Sequence, residues 1–173
     1  MDFFEVIIRN KRFKDFQPNQ LLTPEQIKQL LACAQLAPSL SDVQNFTFII
    51  VDDSELKQQV ASYTEDYEWI KNAAAIFAVV VITDEEDDVN IIDAIVSSSQ
   101  LMMAATSTSL GSNFIVNFDQ EAVASLLGVT DTRLAVIGLI PIGIPSDEGS
   151  QGYKRTLAEL SNHNQLGKPY QFD

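Results

Sequence analysis

The chain has 173 residues, of which 46% are hydrophobic and 20% charged, enough for one domain with a real core and too apolar for disorder. Eleven Lys and Arg stand against 24 Asp and Glu, a net charge of −13. That balance excludes the basic face needed by a nucleic-acid binder or a partner of anionic membranes. Cys33 is the single cysteine and His163 the single histidine, so an internal disulfide and a Cys/His metal cluster are excluded by count. A reducing cytoplasm is the expected setting.

Met1 to Asn10 carries charges and no long apolar core, so no signal peptide is expected there. Phe3 to Arg9 reads as a short helix, followed by a loop to Leu22. Thr23-Pro24-Glu25-Gln26 is a capping box with proline at the first helical position. Ile27, Leu30, Leu31 and Ala34 recur at helical spacing to about Ala37, and Pro38 ends that helix. Ser39 to Asn45 is a polar loop. Phe46 to Val51 is β-rich and predicts a strand, Ser54 to Tyr63 a helix, and Trp69 to Asn72 a helical turn. Ala75 to Ile82 reads as a buried strand. Asp84 to Asp88 is an acidic, solvated run.

Ala94 to Phe118 holds no charge, yet it is half polar and therefore unsuited to hydrocarbon. The spacing predicts a long helix over Asn90 to Leu110, apolar nearly all round and buried on several sides, then a strand over Ser112 to Phe118. Gln120 to Leu127 is an amphipathic helix ended by Gly128. Leu134 to Ile144 is a strand interrupted by Gly138 and Pro141. The tail from Ser146 is polar, with one helical piece near Leu157 to Leu160. Strands and helices without a regular βαβ order predict an α+β fold, a small sheet covered by helices in a single domain over residues 1–173.

All seven glycines lie at or after Gly111, so neither a GxGxxG nor a Walker A loop can form in the first 110 residues. A bound phosphate would have to be held by side chains. Arg9, Lys11, Arg12 and Lys14 cluster near the start, and Lys154 and Arg155 are adjacent in the tail. Two cationic clusters in so acidic a chain suggest charge-assisted clamps. Cys33, Met102 and Met103 read as core, His163 as surface tail, and Trp69 as packing.

These segments, in this order, resemble the FMN-dependent nitroreductase family. Asn10 to Phe16 stands where that family has a basic R-[RH]-S-x-[RK]-x-F segment. Pro38 to Phe46 stands for its P-S-S-x-N-x-Q-P loop, after the helix from Glu25. Ile92 to Phe118, Leu126 to Val129, the Gly143-Ile144-Pro145 ending of the last strand, and Lys154 to Glu159 follow in register. The resemblance implies a small central, mostly antiparallel sheet covered by helices, with the tail exchanged in an obligate homodimer. Lys11, Arg12 and Lys14 would contact the FMN phosphate and ribityl chain, with Lys154 and Arg155 closing on the phosphate. Pro38, Ser39, Leu40, Asp42 and Gln44 would line the flavin from the other subunit. Phe114, Ile115, Val116 and Asn117 would pass the ring, one backbone N–H reaching N5.

The implied activity is reduction of nitroaromatics, quinones or similar small acceptors by NAD(P)H, in a two-electron, ping-pong manner with the chemistry carried by FMN. An FMN protein for storage or sensing, and an enzyme of this fold with another substrate, are the alternatives. The sequence departs from the family pattern at Asn10, Arg12, Asp42 and Asn45. A carboxylate at Asp42 in place of asparagine is expected to lower the flavin potential, and Asp42→Asn to raise it.

Overall fold

The computed structural model describes residues 1–40, 43–83 and 88–172. Helix α1 (Phe3–Arg9) is capped by the Asp2 carboxylate, which accepts from the Glu5 N–H. Helix α2 (Pro24–Gln35) opens on the expected capping box. Thr23 Oγ1 accepts from the Gln26 N–H at 3.2 Å, and the Gln26 side chain accepts from the Thr23 N–H at 2.8 Å. Strand β1 (Phe46–Val51), helix α3 (Ser54–Ser62), a 3₁₀ turn over Glu68–Asn72 and strand β2 (Ala75–Ile82) follow. Then come α4 (Val89–Ser107), β3 (Gly111–Ser112), α5 (Gln120–Leu126), β4 (Leu134–Gly143) and α6 (Leu157–Leu160). The acidic stretch 84–87 lies outside the described residues.

The described strands form one antiparallel sheet in the order β1-β2-β4-β3. β2 is central and buried on both faces, as its unbroken apolar run requires. Its odd side chains, Phe77, Val79 and Val81, pack with Leu30 of α2 and Leu101 of α4. Its even ones, Ile76, Ala78 and Val80, pack with Val60 of α3 and Val123 of α5. Helices therefore cover both sides of the sheet, and the α+β expectation holds.

Two expectations are corrected. β4 is not interrupted at Pro141, which pairs with Ile76 in register. The irregularity expected at Gly138 is a register shift beside it, where Val79 pairs with Gly138 and Val80 with Val136. The strand over 112–118 is reduced to Gly111–Ser112 plus isolated bridges from Ile115 to Leu139 and from Phe118 to Thr64. Asn113 explains this, because its side chain donates to the distant Phe13 carbonyl and accepts from the adjacent Phe114 N–H, bonds that compete with a ladder. α4 is buried on several sides, as expected, with Ala94, Leu101 and Ala105 in the core; Ile92 and Ile95 are exposed, and Asp93, Ser97 and Ser98 are buried polar residues.

Candidate functional site

The basic segment between α1 and α2 is stitched to the chain that follows β4. The Arg12 N–H donates to the Ser150 carbonyl and the Ser150 N–H to the Arg12 carbonyl, each at 2.9 Å. The Gln17 N–H donates to Ile144 O at 2.8 Å, and the Lys14 N–H to the Asp147 carboxylate at 2.8 Å. On the opposite edge the Phe13 N–H donates to the Ser112 carbonyl of β3 at 3.2 Å. Residues 12–17 thus run along the sheet end, held by backbone on both sides.

Neighbouring side chains of this segment have different surroundings. Lys11 Nζ donates to the Glu148 carbonyl at 2.9 Å, and the Phe13 ring lies against Gly111 and Gly149. The Arg12 guanidinium lies over Gly152, where a Cβ would collide with it. A cleft of about 290 Å³ opens beside the segment, lined by Arg9, Lys11, Phe13, Thr106, Ser109 and Glu148 among others.

Charge pairing is uneven. Ion pairs among the described residues join Arg9 to Glu5, Lys71 to Glu68, and Arg133 to Asp131. Lys11, Arg12, Lys14, Lys154 and Arg155 have no carboxylate within ion-pair distance among the described residues, in a chain with 24 acids. Arg12, Lys14, Lys154 and Arg155 are exposed and Lys11 is half-buried. The contacts of Arg12 with Gly152 and Ser150 bring the first cluster next to the segment that leads to Lys154 and Arg155.

The loop after α2 is anchored from α4. The Leu40 N–H donates to Asp93 Oδ1 at 2.8 Å, and Asp93 is only 2% exposed. Pro38 and Leu40 are exposed and Ser39 is half-buried. Gln44 sits at φ +52°, and its Nε2 donates to the Gln35 carbonyl at the end of α2. That amide donor is used in closing the helix. Asp42 lies outside the described residues.

In the run from Phe114 to Asn117, Phe114 packs its ring on Gly138, and Ile115 exchanges two 2.9 Å backbone bonds with Leu139. Val116 and Asn117 are exposed, and their backbone N–H groups take no partner among the described residues. Trp69 packs on Phe16 and Tyr67, ring centroids 5.9 and 6.0 Å apart. Sequence reasoning missed Asp93, Ser150 and Gly152. An acid within an otherwise uncharged helix was the readable signal for the first; the other two act through backbone and left none. No helix among the described residues is long and apolar enough to cross a membrane, and no group of three or more His, Cys, Asp or Glu there could hold a metal.

The chain matches the model of the Nitroreductase family over residues 11–75 and 62–144. It is 22% identical to YdgI of Bacillus subtilis (strain 168), provisionally named an NAD(P)H nitroreductase, over 92% of this chain and 96% of that one. The crystal structure of a nitroreductase family protein from Clostridium novyi NT superposes with a TM-score of 0.79 at 23% identity, covering 98% and 97% of the two chains. A structure from Exiguobacterium sibiricum 255-15, described as a nitroreductase in complex with FMN, gives 0.86 at 20% identity over 94% and 97%. These structural likenesses establish the fold.

Proposed function

The chain belongs to the nitroreductase family, and from that premise we propose that it is a homodimeric, single-domain FMN-dependent NAD(P)H oxidoreductase. The observation that carries the cofactor is the approach of the two cationic clusters: the paired Arg12–Ser150 backbone bonds and the Arg12–Gly152 contact bring Lys11, Arg12 and Lys14 next to the segment that leads to Lys154 and Arg155. In a chain of net charge −13 such a local concentration of cations is suited to an anion such as a phosphate.

The residues present fit FMN. Arg12 and Lys14 would hold the phosphate from one side, with Lys154 and Arg155 closing on it, while Lys11, tied to the Glu148 carbonyl, flanks the cleft. The unpartnered N–H groups of Val116 and Asn117 would orient the polar edge of the ring. Pro38, Ser39, Leu40 and the side-chain oxygen of Gln44 would line it from the second subunit. When bound, FMN supplies two-electron hydride chemistry between NAD(P)H and a nitroaromatic, quinone or other conjugated acceptor. The protein's part is to bind and orient, which agrees with a site lacking a Cys or His constellation.

The homodimer is supported by apolar side chains left in solvent. Phe3, Phe4, Ile7 and Ile8 of α1 and Ile92 and Ile95 of α4 are exposed, as are Leu157 and Leu160 in the tail proposed to be exchanged. A cytoplasmic setting is part of the proposal, since reduced nicotinamide is available there. Titration of apoprotein with FMN and with riboflavin tests the reading. FMN should bind at least about tenfold more tightly, one charge-assisted bond's worth, with the gap narrowing as salt is raised. Equal affinities would refute a phosphate clamp.

A further inference from the structure

We infer that Asp93 of α4 is a positioning residue for the flavin, acting by fixing the 38–40 segment through the Leu40 N–H; this rests on the FMN reading above. Asp93 is 2% exposed and is the single charged residue of α4, and burying a carboxylate is unfavourable unless it is hydrogen-bonded. Its Oδ1 accepts from Leu40 at 2.8 Å across 53 residues of sequence. One turn on, Ser97 Oγ donates to the Ala34 carbonyl of α2 at 2.9 Å. The same helix face therefore holds both the end of α2 and the loop that leaves it.

The two contacts differ in what they fix. Ser97 ties helix to helix, where apolar packing already sets the geometry. Asp93 ties a loop whose Pro38 and Leu40 side chains are exposed and have little packing of their own. The Asp93 carboxylate gives the exposed start of this loop a charge-assisted anchor at Leu40, while Gln44 holds its far end through Gln35, so losing the Asp93 bond should let residues 38–40 shift. The side chains at stake face the ring in the FMN reading and lie apart from the phosphate cations, so the loss should fall on any flavin alike.

The test compares Asp93→Ala, Asp93→Asn, Leu40→Pro, the Asp93→Ala/Leu40→Pro double variant and Ser97→Ala in the full-length protein. FMN and riboflavin affinities and amide exchange at Leu40 are the readouts. Asp93→Ala should expose the Leu40 amide to exchange and weaken both flavins by about tenfold. Asp93→Asn keeps an acceptor and should recover most of that loss. Leu40→Pro removes the same bond together with a side chain that faces the ring only while that bond holds the loop, so its loss should not add to that of Asp93→Ala. Ser97→Ala should lower the melting temperature and leave flavin affinity in place.

Wild-type protein that binds both flavins while Asp93→Ala and Leu40→Pro bind them equally well would overturn this inference alone. Additive losses in the double variant would also overturn it. Wild-type protein that binds neither flavin would overturn the FMN reading and this inference with it.

Discussion

Arg12 and Ser150 exchange both backbone hydrogen bonds at 2.9 Å, joining a residue before the first strand to one after the last. This pair gives the site its shape. It brings the early cationic segment to the chain that carries Lys154 and Arg155, so a phosphate between them would bridge two parts of the sequence more than 130 residues apart. The bond is backbone to backbone, so substitutions of the cationic side chains leave it intact.

Arg12→Ala and Arg155→Ala should each weaken FMN by roughly 10- to 150-fold, the equivalent of about 1.5–3 kcal/mol for a charge-assisted bond. Riboflavin affinity and thermal stability should stay near wild type. Equal losses for the two flavins would show that neither side chain meets the phosphate.

Phe114 and Gly138 give a packing prediction. A Cβ at Gly138 would stand 2.6 Å from Phe114 Cζ and 2.8 Å from a neighbouring ring carbon. Gly138→Ala must displace the ring and should cost about 1–3 kcal/mol. Combining it with Phe114→Leu, which frees that space, should recover part of the loss in denaturant melts. Gly128→Ala meets no atom within 4 Å, but at φ +74° it should cost about 1 kcal/mol from the backbone alone.

Lys57 yields a pH prediction. It is 5% exposed and its Nζ donates to the Ala73 carbonyl at 2.7 Å. Burial pushes the ammonium below its ordinary 10.5, with Asp52 and Asp53 opposing the shift. Between the lowered folded value and 10.5 the unfolded chain binds more protons than the native one, so stability from this group rises with pH there. The stability difference between wild type and Lys57→Met should climb as pH approaches 10.5. A flat or falling difference would show that the amine is not desolvated.

How far the sequence could be read depended on whether the signal was local. Helix α2 was legible because Thr23, Pro24 and Gln26 carry their own start signal, and β2 because an eight-residue apolar run admits few other readings. The strand expected over 112–118 failed because Asn113 reaches back to Phe13, a partner 100 residues away that no local pattern reveals. β4 runs on through Pro141 because a missing N–H there is tolerated by a strand whose neighbour β3 pairs only at Ile142 and Gly143. The cationic clusters were legible as composition. Their approach through Ser150 was not, since backbone pairing leaves no mark in residue type. Asp93 carried a visible mark, an acid in an otherwise uncharged helix, whose partner only the fold supplies.

The exposed apolar side chains of α1 and α4 predict self-association. Sedimentation at micromolar concentration should give a dimer, and Phe4→Asp with Ile8→Asp should dissociate it and lose flavin together. A folded monomer that binds FMN as tightly as wild type would contradict a shared site.

The most direct test is anaerobic mixing of the FMN-loaded protein with NADH or NADPH, followed by a nitroaromatic or quinone. The yellow flavin absorbance should bleach with one of the two nicotinamides and return when the acceptor is added, one acceptor reduced by two electrons per flavin. A bound flavin that stays oxidised with both nicotinamides would contradict it.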